Sequence, residues 1–350
     1  MPDPLQNPAF RPQGMLERLA GMFFGRQQAF DCIQIEISSH CLGACEYCPR
    51  SQKGWRQTHI TPEIFSRLWP VLRTCKRAHL QGWGEPLLNP HFFELQQFAQ
   101  KAGCQTSTTT CGYNLTPELA GRLAASGMDT LAVSLAGTDE ASNSCRVNVP
   151  FSRVCEGLRN AAAAIKAQKS PMELHLAYLL LADRMESALA LPELMREYDI
   201  NAAVVSTLDY IFKPEQASLA ILPHESGKLN RARAILEEIG AKAEEKGRKI
   251  YYDLPGEQSG EDLVCHENPY RCLYVNAAGE ISPCIYLNVQ GAEERRQVFG
   301  NVLETDPIEI WRDLDYKNFR NQLKWGHPGA ECRNCPKRYV QESEAEDSAQ

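Results

Sequence analysis

Between Cys32 and Asp209 two kinds of hydrophobic pattern take turns along the chain. In 33–38, 77–81, 105–110, 130–135, 173–180 and 202–207, apolar and polar residues alternate or form short β-branched runs, as strands with one buried face do. In 62–73, 90–102, 117–125, 151–169 and 189–198, apolar residues recur every three or four positions, as along one side of a helix. Six strand–helix units in series predict an α/β fold on a parallel sheet with right-handed crossovers. The strands carry polar residues on one face: Gln34, Glu36 and Ser38 oppose Ile33, Ile35 and Ile37, and Glu173 and His175 share a face farther on. A closed barrel packs its interior with branched apolar side chains, so these polar faces predict either a polar lumen or strand ends that meet solvent. Glu36, Glu173, His175 and Asp209 are candidates for acid–base groups in such a lumen, with a solvated or structural role equally open.

Beyond this region a charged, Ala-rich helix is expected over 225–246 and a short strand over 249–253, followed by a turn-rich segment and then a cysteine-bearing stretch. The expected divisions are a leader at 1–30 with an amphipathic helix near 15–24, a main domain at 31–215, a connecting helix and strand at 216–261, a second domain at 262–340, and a disordered acidic tail at 341–350. No run of eighteen apolar residues occurs, which argues against a membrane span, and the first residues lack the pattern of a secretory signal. A net charge of −7 offers no basic footprint for nucleic acid. The fourteen cysteines therefore suggest metal ligands and buried thiols in a reducing cytoplasm rather than disulfides.

Three of those cysteines crowd into Cys41-Leu-Gly-Ala-Cys45-Glu-Tyr-Cys48. Three thiolates on one loop can hold three irons of a four-iron cluster and leave the fourth open, whereas clusters used only for electron transfer are closed by four cysteines. Zinc sites pair their ligands differently, and His40, adjacent to Cys41, is poorly placed to complete one. The C-x3-C-x2-C spacing, with an aromatic before the last cysteine, resembles the signature of the radical S-adenosylmethionine (SAM) superfamily. The resemblance implies an open partial (β/α)6 TIM-like barrel. It also implies a [4Fe-4S] cluster on Cys41, Cys45 and Cys48 whose open iron chelates SAM and cleaves it reductively. A reduced flavodoxin- or ferredoxin-type electron donor follows from the same likeness.

Further segments resemble the family's SAM-binding motifs. Tyr47 fills the aromatic position near the adenine. Gly84 and Glu85, in Gln81-Gly-Trp-Gly-Glu-Pro86, match a Gly-Gly-Glu-Pro motif that binds the SAM ammonium, with Trp83 in place of its first glycine. Thr110 begins a segment similar to Thr-Asn-Gly-x-x-Leu, with Cys111 in the Asn place. Ser134 lies in a stretch similar to Ser-Leu-Asp-Gly, whose serine reaches the ribose or carboxylate. Arg146 corresponds to a family arginine in rough position only, and a surface role is at least as well supported.

The second constellation is Cys265, Cys272, Gly279, Cys284 and the pair Cys332 and Cys335. Residues 276–282 suggest a hairpin with glycine in its turn, which would bring Cys272 and Cys284 together. By spacing alone these thiols suit zinc or an iron–sulfur cluster. With the Phe299-Gly-Asn, Ile-Trp311 and Phe-Arg320 positions, the region resembles the SPASM/twitch extensions that bind auxiliary [4Fe-4S] clusters. One auxiliary cluster is expected on Cys272, Cys284, Cys332 and Cys335, with Cys265 competing for one place. Cys32, Cys75, Cys104, Cys145 and Cys155 are expected as small buried hydrophobes.

The function the resemblance implies is hydrogen abstraction from a polar substrate, with net oxidation assisted by the auxiliary cluster. Modification of a peptide by the same chemistry is the alternative. A reading of another class is a non-catalytic iron–sulfur or zinc-binding interaction protein.

Overall fold

The computed structural model describes residues 29–255, 263–333 and 335–340. The expected amphipathic leader helix and the acidic tail lie outside them. Six strands form in the expected order: β1 (Phe30–Ile35), β2 (Cys75–His79), β3 (Gln105–Thr110), β4 (Thr130–Leu135), β5 (Glu173–Leu180) and β6 (Ala202–Thr207). Each pairs in parallel with the next, and β7 (Lys249–Tyr252) adds a seventh parallel strand beside β6. The segment expected to connect two domains thus completes the barrel wall.

β1 ends three residues earlier than its alternation suggests. Past Ile35 the chain leaves the sheet, the Glu36 amide still donating to Val275 O and Ser38 forming an isolated bridge to His59.

The expected helix over 62–73 divides into α1 (Pro62–Ser66) and α2 (Trp69–Leu72). Pro70 has no N–H to give to the carbonyl of Ser66, so the first helix stops and a second starts. α1 and the later α4 (Pro117–Ala125) begin alike: Thr61 and Thr116 accept from the amides of Ile64 and Leu119, with proline at the first helical position. Between them lies α3 (Phe92–Lys101), and α5 (Phe151–Gln168), α6 (Leu191–Glu197) and α7 (Ser226–Glu244) follow. Against these helices the strands bury one face, for example Leu131, Val133 and Leu135 of β4 and Leu174, Leu176 and Tyr178 of β5. The opposite face of the sheet presents Gln34, His79, Thr109, Ser134 and Ser206 to a cavity, together with the apolar Ala177 and Leu179. Glu173 and His175 do not reach that cavity; they pair with each other at 2.8 Å at the far end of β5.

The cysteine-bearing region joins the same sheet. β9 (Cys272–Val275) pairs in parallel with β1, and β10 (Glu280–Ser282) and β11 (Gly300–Asn301) extend the edge antiparallel, giving ten strands in all. The predicted hairpin forms between β9 and β10, with Gly279 at φ +85° in its turn, a conformation glycine adopts without steric cost. β8 (Leu263–Cys265) and β12 (Arg338–Val340) make a separate antiparallel pair.

α8 (Pro307–Arg312) and α9 (Leu314–Lys324) fasten this region to the barrel. Trp311 meets Phe30 edge-on at 4.8 Å, Tyr316 stacks on Phe299 at 4.2 Å, and the Arg320 guanidinium lies 3.9 Å over the Trp311 ring. The short α10 (Ala330–Arg333) carries Cys332.

Candidate functional site

The C-terminal ends of the barrel strands and the loop after β1 surround one cavity of about 450 Å³, where parallel α/β folds gather their ligand-binding groups. Cys41, Cys45 and Cys48 all line it. Their loop is held from two sides. The Arg50 guanidinium donates to the carbonyls of Cys41 and Gly43, and the amides of Ala44 and Glu46 donate to Val147 O and Cys145 O at 2.9 Å. A Cβ built on Gly43 would lie 3.6 and 3.7 Å from the Cys41 and Cys45 sulfurs, so both thiols fold over that residue.

A hydrogen bond with the Cys111 thiol, helped by Arg50, lowers the Cys41 thiol to about 7 against the opposing effect of burial, while burial raises Cys48 to about 11. Among the described residues, no three His, Cys, Asp or Glu side chains converge as they would on one ion.

The Gly-Glu-Pro segment is pressed against this loop. A Cβ on Gly84 would stand 2.3 Å from Ser38 O and 2.7 Å from His40 O, so the glycine is required by two backbones packed together, and the Glu85 amide donates to His40 O at 2.7 Å. The Glu85 carboxylate is buried and accepts from Thr110 Oγ1 at 2.8 Å, the Cys111 amide at 2.6 Å and the Leu87 amide at 3.1 Å. Thr110 is therefore a support for Glu85, and its neighbour Thr109 is the one on the cavity wall. Glu36 also sits behind the wall, accepting from the Trp83 amide at 2.8 Å, and burial raises its carboxyl to about 7.

Tyr47 and Ser134 line the cavity. Arg146 does as well, and it is 3% exposed rather than a surface residue. Its guanidinium donates to Ser134 O and, at 3.4 Å, to Cys111 O, tying the ends of β3 and β4.

The second set of cysteines is drawn together from three segments of the chain. The thiols of Cys265, Cys332 and Cys335 all act on Cys284, and Cys332 and Cys335 act on Cys265. Pairing of β8 with β12 produces this, setting Arg338 opposite Cys265 just after Cys335. Cys272 stands opposite Cys32 in the β1–β9 register, with Asp31, Glu267 and Arg77 as its charged neighbours. The hairpin does form, with Cys272 at the start of β9, and Cys272 and Cys284 both act on Tyr316. Cys75, Cys104, Cys145 and Cys155 are buried as expected, and Cys32 is half-buried.

Between the two cysteine sets the cavity wall continues through Asp209, Tyr210, Glu267 and Tyr286. Asp209 forms an ion pair with Lys337 at 2.8 Å, both largely buried. Sequence reasoning did not find Arg50, His79, Glu267 or Tyr286. For Arg50 and Glu267 the available signal was proximity, each being two residues beyond a cysteine of its set. His79 could have been read from the inward parity of β2. No helix of the described residues is long and apolar enough to cross a membrane.

Residues 35–174 match the family model described as the radical SAM superfamily, and residues 265–336 match that of an iron–sulfur cluster-binding domain, SPASM. The chain is 23% identical over 305 residues to the tungsten-containing aldehyde ferredoxin oxidoreductase cofactor-modifying protein of Pyrococcus furiosus, with 82% of each chain covered. It is 32% identical over 146 residues to the PqqA peptide cyclase of Ruegeria pomeroyi, covering 40% of this chain and only 37% of that one. Among solved structures, Streptococcus suis SuiB bound to S-adenosylmethionine superposes with a TM-score of 0.62 at 16% identity, over 90% of this chain and 77% of SuiB. SuiB is also known bound to the precursor peptide SuiA.

Proposed function

Because this chain belongs to the radical SAM superfamily and carries a C-terminal SPASM domain, it is an enzyme that uses SAM, a [4Fe-4S] cluster and an auxiliary cluster, and we propose that it modifies a peptide substrate. The observation that carries the proposal is the single cavity shared by the three-cysteine loop and the wall beside the auxiliary cysteines. A C–H bond held there lies between the two metal sites. The names of relatives support a peptide: the PqqA peptide cyclase among sequences, and SuiB with its precursor peptide among folds.

In this reading Cys41, Cys45 and Cys48 hold the first cluster, and Cys265, Cys284, Cys332 and Cys335 hold the auxiliary one, Cys265 taking the place first expected for Cys272. The bound cluster and SAM supply one-electron, hydrogen-abstracting chemistry. The protein supplies position. Tyr47, Gly84, Glu85, Ser134 and Arg146 shape the SAM side of the cavity, Thr110 braces Glu85 from behind, and the polar strand residues orient the substrate and exclude bulk water. A reduced flavodoxin- or ferredoxin-type protein would be the electron donor, and the compartment a reducing cytoplasm. Oxidation of a small polar molecule is the second reading, favoured by the polar lumen residues Gln34, His79 and Ser206.

The test is an anaerobic reaction of the reconstituted enzyme with SAM, dithionite and short peptides encoded beside its gene. Loss of two mass units, or a crosslink, in a peptide with matching 5′-deoxyadenosine formation is the expected result. Unchanged peptides in a reaction that oxidises a small molecule would overturn the peptide reading.

A further inference from the structure

The cavity is electrostatically two-ended. Near the three-cysteine loop its charged wall residues are Arg50, Arg146 and Glu85, each already engaged by hydrogen bonds. At the other end are Asp209, paired with Lys337, and Glu267. Glu267 differs from all of these: among the described residues its carboxylate has no hydrogen bond and no ion pair. It is half-buried on the cavity wall.

Three rings stand on the same wall. Trp83 lies 6.1 Å from Tyr210 and 6.0 Å from Tyr286 by ring centroids, and Tyr210 lies 6.4 Å from Tyr286. Tyr210 already holds a cation on one side, the Arg295 guanidinium 5.0 Å from its ring centre. An aromatic wall beside an unpaired carboxylate is the chemistry that receives an ammonium or guanidinium group, since ring faces and carboxylate both attract a cation that has lost its water.

We propose that Glu267, with the Trp83–Tyr210–Tyr286 wall, binds a cationic group of the substrate, such as a lysine-like ammonium, and so fixes which C–H bond faces the SAM side of the cavity. This rests on the reading that the substrate occupies this cavity, but not on the substrate being a peptide. A cation docked at Glu267 would supply the missing partner, while Arg50 and Arg146 at the opposite end would disfavour binding in the reverse orientation.

The test uses two neutral-backbone probes on the cluster-loaded, SAM-bound enzyme: N-acetyl-lysine methylamide and its norleucine counterpart, which has a methyl group in place of the charged end. Binding is followed by saturation-transfer NMR. The wild type should bind the lysine probe at least about tenfold more tightly than the norleucine probe. In Glu267→Gln, nearly identical in shape, the ratio should fall below about two, with iron content and SAM affinity measured in parallel to confirm an intact site. Equal affinities in the wild type, no binding of the lysine probe, or a preference that survives in Glu267→Gln would each overturn the proposal. Peptide modification by an enzyme without this preference would sink the cation site alone. The preference without any peptide product would sink the peptide reading alone.

Discussion

Arg146 shows what one buried side chain contributes to this site. Its guanidinium joins Ser134 O and Cys111 O, so removing it frees two strand ends that line the cavity beside the three-cysteine loop. Arg146→Ala should weaken SAM binding by roughly tenfold or more, about 1.4 kcal/mol, as measured by anaerobic equilibrium binding. Arg146→Lys should recover little, since a compact ammonium does not span both carbonyls as the planar fork does. The sequence left Arg146 undecided because a turn residue's facing depends on how the turn folds back, which spacing does not encode.

His79 makes the opposite case. Burial lowers its imidazole to about 4, and the neutral ring bonds Ser107 Oγ at 2.8 Å and Gln81 Oε1 at 3.1 Å. Between the unfolded value of about 6.5 and the folded value of about 4, the unfolded chain binds the extra proton. Stability is therefore fully present above about pH 6.5 and falls as pH drops through that window, by at most about 3 kcal/mol in total. Denaturant unfolding of wild type against His79→Gln from pH 7.5 to 5.5 should show the steeper decline in the wild type; parallel declines would contradict this.

The elements were largely legible, because period-two strands and Thr-Pro helix starts are local signals. What was not legible came from contacts remote in sequence or from single residues that override a pattern. Pro70 cuts a helix whose apolar spacing runs on through it, and β7 becomes a barrel strand only because β6 offers a free edge. The choice between Cys265 and Cys272 was of the same kind. Both precede Gly279 and Cys284, and only the β8–β12 pairing, closing over seventy residues, places Cys265 beside Cys335. Two variants separate them. After anaerobic reconstitution the wild type should hold about eight irons. Cys265→Ala should lose up to about four of these, whereas Cys272→Ala should keep the full count. The reverse pattern in iron assays would restore Cys272 to the ligand set.

At the scale of the whole molecule, the two cysteine sets belong to one structure. The ten-stranded sheet runs from β7 to β11 without a break, and the aromatic cluster of Phe30, Trp311 and Tyr316 locks its edge. The expected C-terminal cysteine domain begins where composition changes near 262, and its β9 hydrogen-bonds to β1 of the barrel. The consequence is a cavity whose two ends are fixed relative to each other, as chemistry shared between two metal sites requires.

The central claim is that the three-cysteine loop is where SAM is cleaved. The most direct measurement is dithionite-driven formation of 5′-deoxyadenosine by the variant in which Cys41, Cys45 and Cys48 are all replaced by Ala. That variant should retain about four irons at the auxiliary site and form no 5′-deoxyadenosine above background. Formation at the wild-type rate would contradict the assignment.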